Sequence, residues 1–203
     1  ATSRNNIYHL GDSHCLTYTN CDVSIRGNPY RIQPKITFGA KCFHLSDQSD
    51  NQFKSIFKAN LESLPSGSIV WLSFGEIDCR YNEGLLSAAV KNQTSLANIV
   101  ANTLSAHVDW LLLINKNLGH TLYMFNVPAP VYRKKRSSLT NALVLHCVRL
   151  FNAQLARTLD GLEITLIDVY RHTSSTSGFS NEEYHIDKIH LGPNILPVIS
   201  QAL

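Results

Sequence analysis

Apolar residues along this chain fall into two rhythms. Four short, nearly continuous runs, Ile7–Leu10, Ile69–Phe74, Thr121–Val127 and Ile164–Tyr170, are each bounded by Gly, Pro or a polar cluster and read as strands. Ile36–Phe38, ending at Gly39, reads as a fifth. Continuous rather than alternating hydrophobicity is what a sheet covered on both faces requires. Between the runs the period changes. From Ser95 to Asn117 the positions Leu96, Ile99, Val100, Leu104, Val108, Leu111 and Leu112 keep the three/four spacing of one buried helical stripe. Gly119 follows as a C-terminal cap. A second helix is predicted over Ser138–Thr158, with Leu139, Leu143, Cys147, Leu150, Phe151 and Leu155 on one face. A third spans Gln52–Leu64 and stops at Pro65-Ser66-Gly67. Strands alternating with crossover helices predict an α/β protein with a mainly parallel sheet and helices on both sides. No repeat or linker interrupts residues 1–203, so a single domain is expected.

Composition narrows the class. Of 203 residues, 44% are hydrophobic and 16% charged, which excludes disordered and fibrous chains. The formal charge of +3 is diffuse except for Arg133-Lys134-Lys135-Arg136. No aromatic residue interleaves that run for base stacking, so a solvated loop is the reading and no nucleic-acid partner is expected. Five cysteines (15, 21, 42, 79 and 147) without a CxxC pair argue against a zinc cage or disulfide framework and favour a reducing compartment. Two bridges with one free thiol also fit the count. No signal-peptide pattern and no 18-residue apolar run is found, so no membrane span and a cytoplasmic location are expected. Ala1 in place of Met marks either a processed form or a domain of something larger.

In open α/β sheets ligands lie beyond the carboxyl ends of the strands. There this chain places Asp12-Ser13-His14, Gly39, Gly75-Glu76-Ile77-Asp78-Cys79-Arg80, Asn126 and Asp168, followed by Asp187 and His190 on the last loop. A hydroxyl, an imidazole and a carboxylate are the parts of an activated nucleophile. Ser13 alone would read as a helix cap and His190 alone as a surface histidine; occurring together in this order, they are read as nucleophile and base. His44, His107, His120, His146, His172 and His185 show no metal-ligand spacing, and no glycine-rich phosphate fingerprint is present, so neither metal nor cofactor is expected.

Gly11-Asp12-Ser13, the lone Gly39, Gly75-x-x-Asp78 and Asp187-x-x-His190 resemble, in order and spacing over nearly the whole chain, the SGNH/GDSL hydrolase family. The resemblance implies a flavodoxin-like three-layer α/β/α sandwich with five parallel strands. It also implies Ser13 as nucleophile, His190 as base, Asp187 as its orienting carboxylate, and the N–H groups of Ser13 and Gly39 as oxyanion donors. Two positions depart from the family pattern. His14 stands where Leu is usual, at a place that faces the helix start and tolerates change. Ile77 stands where an asparagine would donate the third oxyanion hydrogen bond, and an alkyl group cannot donate. Arg80 and Asn126 are the expected substitutes, and the Arg80 guanidinium would also suit an acidic or sugar substrate.

The expected activity is therefore serine hydrolysis of a small-molecule or carbohydrate ester, such as an O-acetyl group, by an acyl-enzyme route. An acyltransferase on the same triad and an inactive glycan- or protein-binding module are the alternatives. Nucleotide binding at the same rim ranks last, because Asp12 would repel phosphate. The oligomeric state is not readable.

Overall fold

The computed structural model describes residues 5–203, so Ala1 lies outside it. In chain order the elements are β1 (Asn5–Gly11), β2 (Asp22–Ile25), β3 (Asn28–Ile36), α1 (Cys42–Ser46), α2 (Gln52–Glu62), β4 (Ile69–Ser73), α3 (Leu85–Lys91), α4 (Leu96–Asn115), β5 (Thr121–Phe125), α5 (Ser138–Leu159), β6 (Ile164–Ile167), α6 (Val169–Thr173) and α7 (Leu196–Gln201). One six-stranded sheet has the order β2-β3-β1-β4-β5-β6. Only the β2–β3 pair is antiparallel. Without β2, the parallel strands run second-first-third-fourth-fifth, the flavodoxin-like order.

The sheet thus has six strands rather than the expected five. The extra strand, β2, is four residues long and alternates exposed with buried positions. It pairs with β3 through the tight turn Arg26-Gly27, where φ is +50° and +79°. Two central residues at positive φ are the turn that matches the twist of a hairpin. β3 begins at Asn28, well before the expected Ile36, because only one of its nine residues is fully buried and no apolar run marks it. Pro34 is tolerated within it because, among the described residues, the backbone bonds on that flank of β3 end at Ile32, whose N–H donates to Cys21 O and whose carbonyl accepts the Asn20 N–H, each at 3.0 Å. The fourth apolar run is a strand only to Ile167. There Asp168 accepts the Arg171 N–H and opens α6 instead. The short helices α1, α3, α6 and α7 went unpredicted, since five to seven residues are too few for a period to show.

Alternate strand residues enter two cores. Leu10, Val70, Leu72, Leu122 and Met124 pack against α1–α5, with Phe57, Leu104 and Phe151 among the buried side chains. On the opposite face Ile7, Trp71, Tyr123, Phe125 and Ile167 meet Tyr18, Leu191, Leu196 and Ile199. The sandwich is therefore three-layered, with a thin second helical layer. Among the described residues α4 is long and apolar enough to cross a membrane by length and composition alone, a test that a buried core helix also passes. Here Ile99, Val100, Leu104, Val108 and Leu111 bury its stripe in the first core. β1 lies between β3 and β4, so the loop at its carboxyl end leaves the sheet where the strand order reverses.

Candidate active site

Ser13 begins a 3-10 turn, Ser13–Leu16, directly after β1. Its approach is tight. A Cβ on Gly11 would stand 2.5 Å from the Ser73 carbonyl oxygen and 2.6 Å from its hydroxyl, so only glycine allows β1 and β4 this close. The turn is capped by Asp12, whose Oδ1 accepts the His14 N–H at 2.9 Å. Ser13 itself is not the cap, and its hydroxyl is free to point elsewhere. Its Oγ lies 3.0 Å from Nε2 of His190, 177 residues away in sequence.

The His190 loop is held by its own carboxylate. Asp187 Oδ1 accepts the N–H groups of Ile189 and His190 at 2.6 Å each, and Oδ2 lies 2.8 Å from His190 Nδ1. Partial burial works to raise the Asp187 pKa. The His190 N–H, the His190 ring and the Ile189 N–H outweigh it and bring the carboxyl down to about 2. An ionised carboxylate on Nδ1 assigns the ring proton to that nitrogen and leaves Nε2 to accept from the serine hydroxyl. Three side chains from opposite ends of the chain therefore form one continuous hydrogen-bonded relay.

Among the described residues, neither the Ser13 N–H nor the Gly39 N–H has an acceptor within the chain. Gly39 has φ +71°, a left-handed conformation that side-chain-bearing residues adopt at a cost. Its loop is fixed from two sides. Thr37 N–H donates to Gly11 O at 2.7 Å, and the buried Asp78 accepts Cys42 N–H at 2.8 Å and Phe43 N–H at 3.0 Å. Asp78 therefore docks the third sequence block onto the loop that carries Gly39.

Replacing Asp78 by Ala leaves two backbone donors unsatisfied, one of them fully buried. Urea unfolding is expected to show a loss of about 2–4 kcal/mol. Full burial raises the Asp78 pKa to about 6, against the lowering effect of the two N–H groups. The native state thus binds this proton more tightly than the unfolded chain, whose value is 3.8. From this group stability is greatest below that value and declines as pH rises toward 6, a slope that Asp78→Ala removes.

The residues expected to replace the third oxyanion donor hold other partners. Ile77 is buried at the start of the 3-10 turn Ile77–Cys79. Asn126 is also buried. Its Nδ2 donates to Asp168 Oδ1 at 2.6 Å and its Oδ1 accepts the Tyr170 N–H at 3.0 Å, so its amide clamps the end of β5 to α6. Arg80 is held by Glu76 at 2.7 Å and Glu83 at 2.9 Å, which occupies its fork and neutralises its charge.

His14, judged replaceable from sequence, has a structural function instead. Its Nδ1 lies 2.8 Å from Asp12 Oδ1 and its Nε2 3.3 Å from the Ile189 carbonyl. Both partners are acceptors, so the ring must carry two protons to satisfy them. Burial opposes that charge, but the Asp12 hydrogen bond, the charges of Asp12 and Glu76 and the Ile189 carbonyl together raise the His14 pKa above its ordinary value. The His14 ring ties the nucleophile turn to the His190 loop, with the two rings 4.9 Å apart. The described residues contain no group of three or more His, Cys, Asp or Glu able to hold a metal, and all five cysteines are free.

No family model matches the sequence, and no curated protein matches it. Solved structures do match the fold. An acylhydrolase-like protein from Bacteroides fragilis is 16% identical with a TM-score of 0.59, over 99% of this chain and 85% of that one. A GDSL-like lipase from Bacteroides thetaiotaomicron is 13% identical with a TM-score of 0.57, over 98% and 89%. The acetyl xylan esterase AlAXEase is 11% identical with a TM-score of 0.55, over 97% and 96%. At these identities the likeness is one of fold, and that fold is the α/β/α sandwich of the SGNH/GDSL hydrolases.

Proposed function

We propose that this chain, built on the SGNH/GDSL fold, hydrolyses esters through Ser13. The relay Ser13 Oγ–His190 Nε2 at 3.0 Å and His190 Nδ1–Asp187 Oδ2 at 2.8 Å carries this reading. His190 takes the hydroxyl proton as Ser13 attacks the acyl carbonyl, and Asp187 stabilises the imidazolium that forms. The free N–H groups of Ser13 and Gly39 receive the developing oxyanion. His190 then returns the proton to the leaving alkoxide, and a water activated by the same imidazole releases the acyl group. A small polar acyl group, such as acetyl on a sugar, is the favoured substrate. The polar rim of the sheet supports it, and one structural neighbour is an acetyl xylan esterase.

With Ile77 in place of a donor, Arg80 paired with two carboxylates and one Asn126 N–H given to Asp168, the N–H groups of Ser13 and Gly39 are the two donors this reading relies on. Loss of one such donor lowers turnover by about 10²–10³-fold. That same observation favours the second reading, a binding module that keeps the fold without turnover. Labelling with a fluorophosphonate probe separates them. Modification of the peptide containing Ser13 is expected; a folded protein that resists labelling over hours selects the binding module.

A further inference from the structure

Beside the His190 loop lies a second polar site that the relay does not use. It is a cavity of about 210 Å³ whose charged walls are Arg80, Arg133, Arg136, Lys188, Glu76 and Glu83. Its floor is apolar, formed by the Val127–Val131 segment with Val144 and Val148 of α5. The charges do not cancel. Glu76 and Glu83 both pair with Arg80, so four cations face two carboxylates and the walls keep an excess of two positive charges. Among the described residues Arg133, Arg136 and Lys188 have no carboxylate partner; the Arg133 guanidinium reaches only the Lys188 carbonyl, at 3.5 Å.

The arrangement is built rather than incidental. The run Arg133-Lys134-Lys135-Arg136 is a turn closed by Arg136 N–H to Arg133 O at 2.9 Å. It leaves Lys134 and Lys135 exposed while Arg133 and Arg136 are half-buried at the cavity. Buried Asn141 fixes this turn, accepting the Arg133 N–H at 3.0 Å and donating to the Arg133 carbonyl at 3.1 Å. Two guanidinium groups are therefore held near one another, and neither is paired with a carboxylate among the described residues. Burial first, and then the neighbouring charge of Arg133, push the Arg136 pKa down, with only Glu76 opposing. An anion in the cavity would relieve that repulsion, and the planar fork of arginine matches a carboxylate or phosphate.

The position relative to the relay indicates which part of a substrate lies there. Lys188 and Ile189 line the cavity and immediately precede His190, while Gly39 does not border it. The imidazole protonates the leaving alkoxide, so the alcohol half of the ester lies on the His190 side and the carbonyl oxygen on the Gly39 side. We propose that this cavity is an anion-recognising subsite, in which Arg133, Arg136 and Lys188 hold a phosphate or carboxylate carried by the alcohol half of the ester. The substrate assignment rests on the ester-hydrolase reading above; the anion site itself does not.

The test compares three acetyl esters: phenyl acetate, 4-acetoxybenzoate and 4-acetoxyphenyl phosphate. The charged esters are expected to exceed the neutral one in kcat/KM by about tenfold or more at low salt, an advantage that shrinks as salt is added. The ratio between charged esters distinguishes a phosphate from a carboxylate site. In Arg133→Gln/Arg136→Gln the charged-to-neutral ratio is expected to fall toward one, mainly through KM. Lys134→Gln/Lys135→Gln removes equal charge from the same turn outside the cavity and is expected to keep the ratio. A wild-type ratio near one, or equal loss of preference in both double variants, overturns the subsite. If no ester is turned over, the ester-hydrolase reading fails, and calorimetric titration with phenyl phosphate decides the site separately. Binding by wild type that the arginine variant lacks supports it, and absence of binding overturns it. Thermal melts of both variants report whether each is folded.

Discussion

Ser13→Ala is expected to lower ester turnover by at least about 10³-fold, toward the residual level that oxyanion donors and binding alone provide. The fold should be nearly unaffected. The hydroxyl makes one half-buried hydrogen bond, to His190, whose loss is worth about 1 kcal/mol. This pairing of outcomes excludes the simplest structural explanation of the residue. Were Ser13 the cap of the following turn, its removal would destabilise the protein and leave chemistry alone. The capping atom is instead Asp12 Oδ1. Turnover of phenyl acetate and a urea melt on the same preparation check both halves. Undiminished turnover would remove Ser13 from the mechanism altogether.

The second large effect is expected from Asp187→Asn, through the ring tautomer. Oδ1 of Asp187 faces two backbone N–H donors, those of Ile189 and His190. An asparagine amide placed there keeps its oxygen toward those donors and turns its NH2 toward His190 Nδ1. That nitrogen must then accept, so the ring proton moves to Nε2, which can no longer take a proton from Ser13. In a buried triad this change costs on the order of 10⁴ in kcat. The Asp187 side chain is 51% exposed, so water shares the solvation of the imidazolium and a loss of about 10²–10⁴ is expected here. The loop itself should persist, because both N–H groups keep their acceptor. Steady-state kcat together with 15N chemical shifts of the His190 ring tests the idea. Unchanged shifts with reduced kcat would show that orientation or charge, rather than the tautomer, had been lost.

Much of this was legible in the chain. β1, β4, β5, α2, α4 and α5 were visible because long periodic or continuous apolar runs are local properties. The two segments carrying Ser13 and His190 were visible because hydroxyl, imidazole and carboxylate stand at the ends of such runs. Elements that bury little stayed hidden. β2 offers only Val23 and Ile25 to the core, and β3 is half-buried along most of its length.

Side-chain commitments were a different matter. Asn126 and Arg80 read as free polar groups near the rim. One is in fact held by Asp168, 42 positions on, and the other by two glutamates on its own turn. Nothing in the sequence marks His14 as the bridge from Asp12 to the Ile189 carbonyl, because that partner lies 175 positions away. Nor does it separate Arg133 and Arg136, which line the cavity, from Lys134 and Lys135, which face water. Hydrophobic period and local hydrogen-bonding chemistry act over a few residues, so the sequence alone determined the strands, the long helices and the reactive residue types. Pairing, exposure and net charge at a point depend on which loops the sheet brings to one edge, and only the tertiary structure decided those.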